Sequence, residues 1–133
     1  RGSMEGGGNH RQSLGKQGED MVCEFLQSKG HTILERNFRS GHLEIDIISF
    51  DAEGLHFVEV KTRMKNIQAP PQENVDARKQ RRIAKAAMSF LKRGKGLTYG
   101  NHECLFDVAA VTFSKDGKAT LEWFPQAYIP IFI

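Results

Sequence analysis

Two short acidic motifs stand inside segments that otherwise have the composition of buried β-strands. They are Glu44-Ile45-Asp46-Ile47-Ile48 and Phe57-Val58-Glu59-Val60-Lys61. Ile, Val and Phe dominate both segments, and Asp51-Ala52-Glu53-Gly54 between them supplies turn residues. The sequence therefore predicts a β-hairpin with a four-residue loop, and acids in its strands need a chemical reason.

The register of this hairpin predicts which charged residues meet. If the strand ends beside the loop face each other, Asp46 faces Glu59 and Glu44 faces Lys61. Directly opposed side chains have Cβ atoms about 4.5–5.5 Å apart, so two facing carboxylates repel unless one is protonated or a cation lies between them. The pair indicates a divalent-metal site; a solvated strand end with a Glu44–Lys61 ion pair is the alternative.

The elements that must position these residues follow from periodicity and from turn residues. The hairpin is apolar on both faces near its turn, which is typical of central strands covered by helices on two sides. The predicted elements are a helix over 13–29 capped by Ser13, a strand over 31–39, hairpin strands over 43–50 and 55–63, a loop over 66–74, a helix from Asn74 or Asp76 to about Arg93, and strands over 105–113 and 119–124. The sequence thus predicts an α/β fold with an α-β-β-β-α-β core and a mixed central sheet flanked by helices, in which the strands on either side of the second helix are parallel.

Composition limits the class of protein. At 133 residues the chain is expected to form one domain, over 13–133, after an N-terminal segment, 1–12, that contains an expression scar and is Gly-rich and disordered. Cys23 and Cys104 have no zinc-motif spacing and suit a reduced cytoplasm. No apolar run approaches the roughly 20 residues of a membrane span. The formal net charge of +3 is small, so nucleic-acid affinity depends on where the charges lie.

The predicted second helix carries a basic stripe. Its members at helical spacing are Arg78, Arg81, Arg82, Lys85 and Lys92. Such a stripe releases counterions from a polyanion, although a solvated helix face has the same composition. The residues predicted to contact nucleic acid are Arg36, Arg39, Arg63, Arg78, Lys79, Arg82 and Lys85.

Several motifs, in this order, resemble the YraN family of uncharacterised bacterial proteins over about residues 14–124. They are Gly18-Glu19, Arg36-Asn37-Phe38-Arg39, Glu44-Ile45-Asp46, Phe57-Val58-Glu59-Val60-Lys61-Thr62-Arg63, Lys79-Gln80-Arg81-Arg82 and Phe106-Asp107-Val108. That family is similar to the PD-(D/E)XK nucleases, whose restriction-endonuclease-like fold includes the archaeal Holliday junction resolvases. Ile45 replaces the superfamily's proline and Leu43 the glycine usual in YraN-type sequences; neither change removes a ligand.

The resemblance implies a catalytic set of Asp46, Glu59, Lys61 and Glu19. Asp46 and Glu59 would anchor Mg²⁺ or Mn²⁺, and the Val60 backbone carbonyl and Glu19 would add ligands. Lys61 would either orient the attacking water or stabilise the transition state. Glu44, as a partner of Lys61, and Gln80 are expected to support these residues.

The function expected from these residues is metal-dependent endonucleolytic cleavage of DNA structures or repair intermediates. Two alternatives remain open: a nucleic-acid-binding module that keeps the fold with little catalysis, and an RNA-processing accessory protein. DNA is preferred over RNA as the partner, and no membrane is expected. Homodimerisation through the apolar tail Tyr128–Ile133 is also open.

Overall fold

A mixed five-stranded sheet with a helix on each face forms the part of the chain that this structure, a computed structural model, describes: residues 10–65 and 76–130. The elements are α1 (His10–Ser28), β1 (Thr32–Ser40), β2 (Leu43–Asp51), β3 (Gly54–Met64), α2 (Ala77–Leu91), a 3₁₀ helix (Gly94–Tyr99), β4 (Cys104–Phe113) and β5 (Ala119–Phe124). The predicted α/β class and α-β-β-β-α-β order are confirmed. The predicted loop over 66–74 and most of the N-terminal segment lie outside the described residues.

Strand order in the sheet follows the order of the chain, β1-β2-β3-β4-β5. Neighbouring strands are antiparallel except β3 and β4, which are parallel because α2 carries the chain back across the sheet between them. The predicted crossover is confirmed. The central strands β2, β3 and β4 therefore have helices on both sides, and β1 and β5 form the edges.

Each face of the sheet buries its own apolar cluster. On one face α1 packs Val22 and Leu26 against strand residues that include Ile47 and Val58. On the other face Ile83, Ala87 and Phe90 of α2 pack against a second cluster that includes Phe57. Phe57 is 1% exposed, and truncation of such a side chain to alanine costs about 3–5 kcal/mol. These two clusters hold the acidic motifs of β2 and β3 between the helices.

The hairpin loop is shorter than the sequence predicts. Asp51 pairs with Gly54, so only Ala52 and Glu53 connect the strands, and the four-residue loop is wrong. The Glu53 N–H donates to Asp51 Oδ1 at 3.0 Å, and Gly54 has a φ of +144°, which lets β3 begin one residue earlier than predicted. The predicted register beside the loop, with Phe50 opposite Leu55, is confirmed.

The two long helices differ in how well their starts were predicted. Helix α1 begins at His10, so Ser13, the predicted cap, lies inside it. Helix α2 begins after Asp76, whose Oδ1 accepts a hydrogen bond from the Lys79 N–H at 2.9 Å, as one predicted alternative has it. Its last turn leads through Gly94, at φ +61°, into a 3₁₀ helix that the sequence did not predict. Neither helix, nor any other in the described ranges, has the length and apolar character needed to cross a membrane.

Candidate active site

The β2–β3 ladder opens at the acidic motifs. Its last pair is Ile47 with Val58, and beyond it the Val60 N–H donates to Asp46 Oδ2 at 2.8 Å. A side-chain carboxylate thus takes the place of a ladder carbonyl, so the two strands separate here. The predicted register does not extend to Glu44 and Lys61 for this reason.

The acid that the sequence pairs with Lys61 has another partner. Glu44 Oε1 lies 3.7 Å from Arg39 Nη2, and Arg39 is its neighbour on β1. Lys61 Nζ lies 3.9 Å from Glu59 Oε2, on its own strand. Because the β2–β3 ladder has already ended here, Glu44 is paired with Arg39 on β1 and not with a residue of β3. The expected Glu44–Lys61 ion pair is therefore replaced by these two contacts.

The alternation of side chains along β2 is interrupted at Asp46, where the β2–β3 ladder opens. Ile45 and Ile47, two residues apart on β2, belong to the apolar clusters on opposite faces of the sheet. In the β1–β2 register Asn37 is opposite Asp46, and Asn37 has a φ of +54°, the left-handed region that asparagine tolerates better than most residues. The Asn37 side chain donates to Glu19 Oε1 at 3.2 Å. Asn37 belongs to the motif Arg36-Asn37-Phe38-Arg39, but the sequence predicted no role for it, and the signal that could have indicated one is its residue type.

Asp46 and Glu59 share a cleft of about 260 Å³ on the α2 side. Its lining is His42, Leu43, Glu44, Asp46, Glu59, Lys79, Arg82 and Ile83. Burial, and next the negative charge of Glu59, raises the pKa of Asp46 to about 7, although the Val60 hydrogen bond opposes the shift. The two acids therefore lie close together, as predicted. The raised pKa of Asp46 is the effect expected of repulsion between neighbouring carboxylates.

A lysine from α2 neutralises this pair. Lys79 Nζ donates to Glu59 Oε2 at 2.6 Å, well inside the 3.9 Å that separates Lys61 Nζ from the same oxygen. Burial acts to lower the pKa of Lys79, but the hydrogen bond and charge of Glu59 outweigh it and raise that pKa. The sequence predicted Lys79 as a phosphate contact; its position against Glu59 depends on the docking of α2, which no local pattern reports.

Glu19 approaches from the opposite face of the sheet. It lines a second cleft on the α1 side together with Val60 and Thr62. The approach is close because a Cβ on Gly18 would lie 2.5 Å from Thr62 Oγ1. The negative charge of Glu19 also raises the pKa of Asp46, so a residue of the α1-side cleft acts electrostatically on a residue of the α2-side cleft. Glu19 thus lies on the α1 side of β3, and its role as a ligand beside Asp46 and Glu59 stays a prediction.

The predicted nucleic-acid contacts divide into two groups. On α2, Arg78, Arg82 and Lys85 are exposed, and Arg82 also lines the cleft with Asp46. The others are engaged or lie elsewhere: Arg36 bonds Asp20 at 2.8 Å, Arg39 pairs with Glu44, Lys79 bonds Glu59, and Arg63 lines the α1-side cleft. Gln80, expected to support the site, is half-buried on α2.

The donor set fits a hard divalent cation. Asp46 and Glu59 offer carboxylate oxygens, which Mg²⁺ and Mn²⁺ prefer. The Lys79 ammonium already bonded to Glu59 shows that the pair attracts positive charge in this position. A Mg²⁺ site in a protein commonly has one or two carboxylate ligands, and oxygens of water and substrate phosphate complete its coordination. Asp46 and Glu59 would supply the two carboxylates.

The family model and the curated relatives that match this chain belong to a single family. The family model described as "Uncharacterised protein family UPF0102" matches residues 18–111. The chain is 39% identical over 127 residues to a UPF0102 protein of Anaeromyxobacter dehalogenans, covering 96% of this chain and 92% of that one. It is 48% identical over 101 residues to a UPF0102 protein of Chlorobium limicola, covering 74% of each. Among solved structures it is similar to Pyrococcus furiosus SfsA in complex with Ca²⁺, with a TM-score of 0.39 and 16% identity, covering 86% of this chain and 63% of that one.

Proposed function

Since this chain belongs to the uncharacterised protein family UPF0102, the YraN family that its motifs predicted, its chemistry must be inferred from its own site. We propose that it is a Mg²⁺- or Mn²⁺-dependent endonuclease that hydrolyses phosphodiester bonds in nucleic acid, with DNA structures or repair intermediates as its preferred substrates.

The carrying observation is the pair of carboxylates at the opened end of the β2–β3 ladder. Asp46 and Glu59 share one cleft, and the pKa of Asp46 is raised to about 7 by burial and by Glu59. A strand end with a purely structural role would gain nothing from two like charges held close together. A site that binds a divalent cation and a phosphate gains from it, because the cation relieves the repulsion.

Each residue of the site has a proposed role that follows from its position. Asp46 and Glu59 would hold the metal, and Glu19 and the Val60 carbonyl are the proposed additional ligands. The bound metal would neutralise charge on the phosphoryl oxygens and promote ionisation of water. Lys61, 3.9 Å from Glu59, would orient the attacking water or stabilise developing negative charge. Glu44 and Gln80 would support this set from the periphery.

Substrate binding is proposed along α2. Arg78, Arg82 and Lys85 are exposed on this helix, and Arg82 reaches the cleft that contains both acids. Phosphate contacts of this kind position a nucleic acid without reading its sequence. A backbone held there would have a phosphodiester within reach of the acids, which is what cleavage requires.

A second candidate is supported by the Lys79–Glu59 hydrogen bond of 2.6 Å. A lysine that already neutralises Glu59 would suit a binding module with the same fold and little catalysis. Such a module would contact nucleic acid through α2 with the acids satisfied internally. An RNA-processing accessory role is a form of the same alternative.

A cleavage screen separates these candidates. The protein is incubated with junctions, flaps, single strands, linear duplexes and structured RNA, with Mn²⁺ or with EDTA. Cleavage that requires Mn²⁺ and that is lost in Lys61→Ala supports the endonuclease. Binding without any cleavage above the Lys61→Ala level assigns the binding module instead, and the substrate preferred in the panel distinguishes DNA from RNA.

A further inference from the structure

A second cluster of potential metal ligands lies at the other end of the hairpin. His31, which follows α1, meets Asp51 at the end of β2 and His56 near the start of β3. His31 Nε2 is 3.2 Å from Asp51 Oδ2, and His56 Nε2 is 2.8 Å from Asp51 Oδ1. Asp51 lies five positions beyond Asp46 along β2, about 17 Å at the rise of a strand, so this cluster is distinct from the carboxylate pair.

Both imidazoles are oriented by a partner on the far nitrogen. His31 Nδ1 lies 2.9 Å from Ser49 Oγ, and His56 Nδ1 lies 2.7 Å from Asp107 Oδ2. Asp107 is fully buried, and its Oδ1 accepts the Gln126 N–H at 2.7 Å, so it is itself fixed. Histidines that bind metals almost always have the second ring nitrogen held by a carboxylate, carbonyl or other polar group in this way.

We propose that His31 Nε2, His56 Nε2 and the Asp51 carboxylate form a binding site for a divalent transition-metal ion of the Zn²⁺ class. The proposed ligand atoms all lie within 4.8 Å of one another. Zinc–nitrogen and zinc–oxygen bonds of about 2.0–2.2 Å place tetrahedral ligands roughly 3.3 Å apart, close to the 3.2 and 2.8 Å that separate the two histidines from Asp51. Imidazole nitrogen favours Zn²⁺, Co²⁺ or Ni²⁺ over the Mg²⁺ expected at Asp46 and Glu59.

The charges of the cluster favour a cation. Asp51 and Asp107 contribute two carboxylates, and the two imidazole rings lie beside them with centroids 4.4 Å apart. A divalent cation bound by neutral imidazoles would balance both carboxylates. The side chains of His31, Asp51 and His56 are 7%, 17% and 4% exposed, so a fourth ligand such as water would enter from the side of Asp51.

The site would tie together three segments that only tertiary packing brings near each other. His31 ends the connection from α1 to β1, and its backbone N–H donates to Leu26 O at 2.9 Å. Asp51 and His56 flank the β2–β3 turn. Bound metal would therefore brace the turn and the α1 exit at the end of the sheet remote from Asp46, as a stabilising site that does not depend on the proposed nuclease activity.

Metal titration of chelator-treated protein tests this assignment. Zn²⁺ is titrated by calorimetry, and Co²⁺ by visible absorption, which is intense only for low-coordinate Co²⁺. We expect one equivalent to bind with an increase in Tm. His31→Gln and His56→Gln should each lose at least 100-fold in affinity, while Ser49→Ala, which removes an orienting partner, should lose roughly 10–100-fold.

Two matched controls isolate the site. Asp46→Asn should leave Zn²⁺ affinity unchanged, so failure here and failure of the proposed nuclease site are separable. His102→Gln replaces a histidine that packs on Phe50 and is not one of the proposed ligands, and it should also bind normally. Because His56→Gln deprives buried Asp107 of its histidine partner and can unfold the chain, His31→Gln with a native circular dichroism spectrum is decisive. Equal Zn²⁺ affinity of wild type and His31→Gln, or no saturable binding to wild type, would overturn the proposal.

Discussion

Asp46 Oδ2 accepts the backbone N–H of Val60 at 2.8 Å, at the point where the β2–β3 ladder ends. The carboxylate therefore has a structural role as well as a chemical one. It satisfies the donor that strand separation would leave unpaired, and it leaves Glu59 and Lys61 without a paired residue on β2, while both remain paired with β4. Substitution of Asp46 should consequently alter stability and activity by different routes, which separate measurements can resolve.

Stability of the metal-free protein should fall as pH rises toward neutrality because of Asp46. Burial and Glu59 raise its folded pKa to about 7, whereas the unfolded chain releases this proton near its ordinary value of 3.8. Between these values the folded state holds more protons, so the free energy of unfolding decreases with pH by up to about 4 kcal/mol. Denaturant unfolding in EDTA from pH 4 to 8 should show this slope in wild type and a flatter one in Asp46→Asn.

The control for that measurement has the opposite sign. The hydrogen bond from Arg36 lowers the pKa of Asp20, so Asp20 stabilises the fold above its ordinary pKa and loses this contribution as pH falls. Asp20→Asn should lower stability at neutral pH without flattening the slope between pH 4 and 7. Parallel curves for wild type and Asp46→Asn would show that Asp46 titrates near its unfolded pKa.

Lys61→Ala should reduce cleavage at least about 100-fold and leave nucleic-acid affinity nearly unchanged. Its proposed work is on the attacking water or on the transition state, which contributes to the rate and little to ground-state binding. Single-turnover cleavage with Mn²⁺ and equilibrium binding in EDTA measure the two quantities separately. A variant that binds and cleaves as wild type does would remove Lys61 from the mechanism.

Lys79→Gln should bind Mn²⁺ more tightly, by about tenfold, because the ammonium that competes for Glu59 is gone. The same variant should have a lower Tm without metal, since Glu59 loses its nearest positive charge. Calorimetry and thermal unfolding with and without Mn²⁺ give both values. Lys85→Gln, an exposed lysine on the same helix, is the matched control. If the two variants have the same Mn²⁺ affinity, Lys79 does not compete with the metal.

Combined replacement of Arg78, Arg82 and Lys85 by alanine should weaken binding to all nucleic-acid sequences alike. Each lost phosphate contact should reduce the slope of log K against log salt by about 0.9 on duplex DNA. Fluorescence anisotropy measured at salt concentrations from about 50 to 200 mM provides the test. Lys29→Ala with Lys118→Ala removes two exposed charges elsewhere and should keep the slope. An unchanged slope in the α2 variant would make this face an ordinary solvated surface.

Gly18→Ala should destabilise the fold by about 1–3 kcal/mol, because the added Cβ would lie 2.5 Å from Thr62 Oγ1. Gly15→Ala on the same helix meets nothing within 4 Å and should stabilise α1 by up to about 1 kcal/mol. Adding Thr62→Ala to Gly18→Ala should restore most of the loss. Urea unfolding measures all four proteins. Equal stabilities of the two glycine variants would contradict the close packing that brings Glu19 to the site.

The amino-acid sequence determined the elements and the approach of Asp46 to Glu59. Alternating Ile, Val and Phe predicted β2 and β3, and the turn residues after Phe50 set the register in which the two acids approach each other. The α2 crossover then required β3 and β4 to be parallel. These features depend on periodicity and local turn chemistry, which neighbouring residues encode directly.

Tertiary structure decided which partners the charged side chains found. The bond from Lys79 to Glu59 depends on the distance between α2 and the sheet, and the bond from Asn37 to Glu19 depends on the packing of α1 beside β1. Likewise, His31 and Asp107 meet His56 only after α1, the hairpin and β4 have packed together. Such contacts join residues far apart in the chain, and burial lowers the local dielectric constant, so small differences in packing determine which charges pair.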